Sequence, residues 1–193
     1  FGRTARGVQA KEGGGGVSGV EKKRVLICGA RGFIGNNLCE RLVGNERYEI
    51  FATFISPWRA PGIRAFQVNL TMEEEVEYVF ETVKPHIVIQ AAAATTGVLD
   101  TLKKPYFHVV DNVRMNALLF RAAHEHGAEL FVFFSCAVMY DQTRDEPQRE
   151  TDFDPNREMF PPYFGGAWTK VYHEKMCEFY SRLGKTRFMV VRH

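Results

Sequence analysis

The four cysteines in 193 residues, Cys28, Cys39, Cys136 and Cys177, show no paired C-x-x-C spacing, and the six histidines do not gather beside them in a zinc-like pattern. A disulfide framework and a structural zinc site are excluded on that ground, and the expectation is reduced thiols in a cytoplasmic protein without a metal. No apolar run approaches the roughly 20 residues that a membrane span needs, and the N-terminus lacks the apolar stretch of a secretory signal. A large excess of one charge is missing too. There are 25 Lys and Arg against 23 Asp and Glu, a formal net charge of +2. Residues 1–24 hold six basic and two acidic side chains, so the remainder is net −2 and is not a basic nucleic-acid binder.

Hydrophobic residues make up 45% of the chain, enough to bury a core for one generous domain. Residues 1–22, with Gly13 to Gly16 in a row and little to pack, read as a flexible tail or linker, and 23–193 as the domain. Val25 to Cys28 is a short apolar run without polar alternation, which suits a strand buried on both faces of a parallel sheet. Ile34, Leu38 and Leu42 then recur at helical spacing. Further strands are expected at about 48–55, 64–68, 87–89, 130–134 and 187–191. Helices are expected at 72–83, 106–126 and 167–183, the first with Thr71 and Glu74 as a capping box and the second ended by Gly127. Residues 141–160 read as loop. Strand and helix alternating in this way predict a doubly wound α/β fold of Rossmann type with a mostly parallel sheet.

Between the first strand and the first helix stands Gly29-Ala30-Arg31-Gly32-Phe33-Ile34-Gly35. Gly29 permits a tight turn, Gly32 lets backbone approach a pyrophosphate, and Gly35 lets helix and strand pack closely, while the helix start at Phe33 and Ile34 faces the anion. This placement predicts a dinucleotide site. About 20 residues further on, Ala52 to Arg59 lacks the carboxylate that many such sites place on the adenosine ribose. With no acid to repel a 2′-phosphate, and with Ser56, Arg59 and Arg64 nearby, the cofactor is expected to be NAD or NADP with a slight lean to NADP.

From about Arg24 to the end, the chain resembles the extended short-chain dehydrogenase/reductase superfamily of nucleotide-sugar epimerases, dehydratases and reductases, in its branch around GDP-fucose synthase. The carriers are the glycine loop, Asn69-Leu70, Ala91-Ala92-Ala93, Asn112, the stretch Phe133 to Tyr140, and Lys170 followed by Glu174. The resemblance implies that Asn69, Leu70, Ala91, Ala92, Ala93, Asn112 and Lys170 join the glycine loop around the cofactor. It also implies a nucleotide-sugar substrate, a homodimer, and a substrate-binding C-terminal region that this chain lacks. The chemistry it implies pairs a Tyr acid/base with a Lys that lowers the phenol pKa, and a Ser or Thr that bonds the substrate oxygen.

The chain departs from that pattern twice. Four residues before Lys170 stands Gly166, and the nearest tyrosine is Tyr163. On a regular helix that spacing is about 10 Å along the axis, so an irregular Gly165-Gly166 segment is expected to fold Tyr163 back to Lys170. At the hydroxyl position stands Cys136, with Ser135 one residue earlier; Cys136 is better placed by count and Ser135 better suited by chemistry. The expected catalytic set is thus Tyr163, Lys170, Cys136 and Ser135, in an NAD(P)-dependent nucleotide-sugar epimerase, dehydratase or reductase. The alternative is an inactive dinucleotide-binding protein on the same fold.

Overall fold

In a computed structural model, residues 21–95, 104, 106–140 and 146–193 are described. The expected tail at 1–22 therefore lies almost wholly outside the described residues, as does the start of the expected loop at 141–160. Six strands are present: β1 (Lys23–Cys28), β2 (Tyr48–Phe54), β3 (Arg64–Gln67), β4 (Ile87–Gln90), β5 (Leu130–Phe134) and β6 (Arg187–Val191). Four helices are described: α1 (Phe33–Leu42), α2 (Glu73–Val83), α3 (Tyr106–Glu125) and α4 (Phe164–Arg182). Short 3₁₀ turns occupy Glu150–Asp152 and Pro161–Tyr163.

The strands form one sheet in the order β3-β2-β1-β4-β5-β6, and every pair is parallel. Parallel neighbours require crossovers, which cover both faces of the sheet and leave the strands apolar throughout. Leu26, Phe51, Val88, Phe131 and Phe133 bury one face against Val76, Val79 and Phe80 of α2 and Leu119 and Phe120 of α3, with Cys177 of α4 in the same cluster. Val25, Ile27, Ile50 and Ala52 bury the other face against Cys39 and Leu38 of α1. Phe120 sits among the rings of Phe131, Phe133, His173, Tyr180 and Phe188, most of them edge to face. The strand order reverses between β1 and β4, the point at which such sheets open a crevice at the carboxyl ends of their strands.

Two local expectations are corrected. The start of α2 has Met72 as its cap, with no side-chain hydrogen bond, rather than a Thr71–Glu74 box. The Thr71 hydroxyl instead donates to Asn69 Oδ1 at 2.9 Å, and Glu75 accepts the Asn69 amide at 2.6 Å, so the turn before the helix is closed on Asn69. The Gly165-Gly166 segment is helical, not irregular: α4 begins at Phe164, three residues before the expected start, and Thr169 Oγ1 donates to the Gly165 carbonyl at 2.7 Å. Nothing lies within 4 Å of the position a Gly166 Cβ would take, so no neighbour distorts this turn.

Candidate active site

The glycine loop is held by the sheet it leaves. The amides of Gly29 and Ala30 donate to the Thr53 carbonyl of β2 at 3.1 and 2.9 Å, which turns the chain sharply at the end of β1. Gly29 has φ +79°, and a Cβ there would lie 2.6 Å from Ala92 Cα. A Cβ on Gly35 would strike the Gly29 carbonyl, so α1 is pressed onto the end of β1 with no room for a side chain. Gly32 differs: its φ is −70° and its nearest obstacle is the Gly29 oxygen at 3.3 Å. It caps α1 without a side-chain hydrogen bond, and the first turn of α1 carries no acid, so its positive end is uncompensated.

A cleft of about 840 Å³ opens over this helix start. Gly29, Gly32, Phe33 and Ile34 line one wall, Thr53 to Ser56 and Val68 to Thr71 a second, and Ala91 to Thr95 a third, which His193 and Met115 approach. Phe33 and Ile55 are widely exposed, at 86% and 66%, and give the cleft two apolar edges. The residues fit a dinucleotide: a helix start that Gly32 leaves clear of any side chain for an anion, flanked by apolar surface for flat rings.

Of the expected cofactor residues, Gly29, Gly32, Phe33, Ile34, Asn69, Leu70, Ala91, Ala92 and Ala93 all line the cleft. Gly35 lies behind it as packing. Asn112 acts through the backbone: its amide bonds both the amide and the carbonyl of Ala94, at 3.0 and 2.9 Å, and so fixes the third wall to α3. Ser56 lines the cleft, whereas Arg59 does not, and the Arg64 guanidinium lies 5.5 Å over the Phe66 ring. Arg31 lines the cleft inside the glycine loop. Its position between two of the glycines was the available signal, and sequence reasoning passed over it.

Lys170 is largely buried on α4. Its ammonium donates to the Phe134 carbonyl at 2.6 Å and lies 4.8 Å over the Phe133 ring, which brings it to the end of β5 beside Cys136. Burial lowers the Lys170 pKa below its ordinary value. Burial raises the pKa of the half-buried Cys136 thiol, partly offset by backbone hydrogen bonds and the Lys170 charge. Ser135 is fully enclosed, and its hydroxyl has no hydrogen-bond partner among the described residues; its amide continues the β5–β6 ladder to Val191 at 2.7 Å. Of the two candidates at this position, only Cys136 reaches the surface.

Tyr163 ends a 3₁₀ turn, is 44% exposed, and packs against the Phe160 ring at 5.8 Å. It makes no hydrogen bond to Lys170, contrary to the expected fold-back. It caps α4 with φ −109° and ψ 7°, so it stands just before the regular helix that carries Lys170. Beyond Lys170, Glu174 clamps Arg192 at 2.6 and 3.0 Å, and Arg192 donates to the Tyr140 hydroxyl at 2.7 Å. This ties β6 and the end of the Phe133–Tyr140 stretch to α4.

The comparisons with known proteins point the same way. The chain is 25% identical over 168 residues to a GDP-L-fucose synthase of Sinorhizobium fredii, covering 84% of this chain and 48% of that protein. It is 30% identical over 129 residues to a dTDP-4-dehydrorhamnose reductase of Aggregatibacter actinomycetemcomitans, covering 67% and 40%. Among solved structures, the UDP-glucose 4-epimerase of Thermus thermophilus in complex with NAD superposes with a TM-score of 0.74 at 26% identity, over 88% of this chain and 54% of that one. The chain thus spans about half the length of the relatives it matches. Residues 25–193 match the model of the NAD dependent epimerase/dehydratase family, and the chain belongs to that family.

Proposed function

We propose that this chain is the dinucleotide-binding part of an NAD(P)-dependent nucleotide-sugar epimerase, dehydratase or reductase. The observation that carries the reading is the cleft in which Gly29 and Gly35 are pressed shut behind the uncompensated start of α1, leaving Gly32 and the Phe33 and Ile34 amides toward an anion. Arg31 and Ser56 offer donors on the same rim, with no carboxylate in the Ala52–Arg59 stretch, which supports the lean to NADP. A nicotinamide dinucleotide, when bound, supplies hydride transfer at a sugar carbon. The chain's own work is to bind it, orient it and manage a proton.

In this reading Tyr163 holds the proton and Lys170 supplies the positive charge that favours its removal. Tyr163 caps the start of α4 and Lys170 lies within that helix, so a ribose and substrate placed between them would link the two without direct contact. Cys136, beside Lys170, would bond the substrate oxygen in place of the hydroxyl that the superfamily uses. The apolar side chains Tyr106 and Val110 on α3 and Phe164, Tyr172 and Phe179 on α4 are exposed, which supports pairing of two copies as a homodimer.

A second reading, an inactive dinucleotide binder, is favoured by one observation: Gly166 stands in open space where the superfamily's phenol is expected. Titration calorimetry with NADPH and NADH tests the shared part. Gly32→Val should abolish binding, and unchanged affinity would remove this loop from the site. In the full-length protein, Tyr163→Phe should lower turnover by about 10²–10⁴ with cofactor affinity nearly intact. An unaltered turnover would clear Tyr163 of the role, and absence of any turnover in the parent would favour the second reading.

A further inference from the structure

A buried polar chain runs from the cleft wall to α4. The Ala92 amide donates to Gln90 Oε1 at 3.1 Å, and Gln90 Nε2 donates to Asn116 Oδ1 at 2.8 Å. Asn116 Nδ2 donates to the Asn112 carbonyl at 2.9 Å and lies 3.4 Å from His173 Nδ1. Gln90, Asn116 and His173 are 2%, 2% and 0% exposed, so none of them touches solvent. Burying three polar side chains in an aromatic core is costly unless each is satisfied, and an apolar trio would fill the space without that cost. His173 Nε2 does remain without a hydrogen-bond partner, with the His173 ring edge to face with Phe120 and Phe133. Packing alone therefore does not account for the trio.

The chain joins the three elements that form the proposed site. Its first link is the amide of Ala92, the residue against which Gly29 packs with no room for a Cβ. Its middle, Asn116, sits one turn after Asn112, which fixes Ala94. Its far end lies one turn after Lys170 on α4. A shift of Ala92 by a few tenths of an ångström is transmitted directly to the Gly29 turn, and so to the cradle of α1 amides.

We propose that Gln90, Asn116 and His173 are positioning residues that set the height of the Ala91–Ala93 wall against the glycine loop and lock it to the helix bearing Lys170. The inference rests on the dinucleotide reading for its purpose, but not for its geometry. Asn116 orients Gln90, Gln90 holds the Ala92 amide, and a neutral His173 fixes the Asn116 amide by accepting its second hydrogen.

The test uses the full-length protein and two readouts: hydrogen exchange of the Ala92 amide without ligand, and calorimetric titration with NADPH and NADH. Asn116→Leu should speed Ala92 exchange about tenfold relative to the β4 amides and weaken NADPH binding about tenfold. Gln90→Leu should do the same, and the double variant should be no worse than either single, because both break one chain. His173→Phe keeps the aromatic packing and removes the acceptor. It should leave the melting midpoint equal or higher while weakening NADPH about threefold, whereas the loss of a mere packing ring would leave the affinity unchanged. Should Asn116→Leu fail to fold, His173→Phe decides. Wild-type Ala92 exchange and wild-type affinity in that variant overturn the proposal. If the parent binds neither NADPH nor NADH, the dinucleotide reading fails, and slow parental exchange at Ala92 that the variants accelerate still upholds the positioning role.

Discussion

At the scale of single residues, the three glycines of the loop are not equivalent, although their spacing presents them as a set. Gly35 and Gly29 are confined by backbone, whereas Gly32 has ordinary dihedrals and faces the cleft. Gly35→Ala should therefore fail as a folding defect, visible as a lowered melting midpoint with or without ligand. Gly32→Ala should melt near the parent and show its loss only in NADPH titration. His173 offers a second residue-scale prediction. Burial, aided by the positive charge of Lys170, pushes its pKa down from 6.5 to about 3. The unfolded chain then binds the proton that the folded one refuses, so stability falls as pH falls from about 6.5 toward 3. From pH 6.5 to 5 the loss should be roughly 1.5 kcal/mol in chemical denaturation, and His173→Phe should flatten that dependence.

At the scale of elements, α4 carries the largest difference between expectation and outcome. Two adjacent glycines suggested a break, yet both are helical, and Thr169 bonds back to the Gly165 carbonyl. The two should answer substitution differently. Gly166→Ala meets open space and should add about 1 kcal/mol of stability from helix propensity. Gly165→Ala places a Cβ 2.9 Å from Val109 Cγ2 and should show no such gain. Equal gains at both positions in thermal melts would contradict the packing of α4 on α3. The Thr71 box failed for a related reason: Asn69 Oδ1 accepts both the Thr71 amide, at 3.1 Å, and its hydroxyl, at 2.9 Å, so the amide that Glu74 would have accepted is already satisfied. Local patterns of this kind are overruled when a neighbouring turn offers the same groups better partners.

At the scale of the whole molecule, the core is continuous from β1 to β6 on the face covered by α2, α3 and α4, and Phe120 is its most connected ring. Phe120→Ala should cost about 3–5 kcal/mol in denaturant unfolding, a large share of what holds one domain together. The sequence alone determined the sheet and the loop above it. Apolar runs of four to seven residues alternating with helical periods admit little besides a parallel sheet with covered faces, and glycine at 29, 32 and 35 is read directly from what a Cβ would obstruct. Only the tertiary structure decided which groups converge. Arg31 enters the cleft and Arg64 turns onto Phe66, Ser135 is enclosed while Cys136 is not, and Gln90, Asn116 and His173 join across 83 positions of chain. The reason is physical: a backbone preference is a property of neighbours in sequence, whereas a hydrogen bond or a burial depends on where three separate elements are placed when the sheet closes.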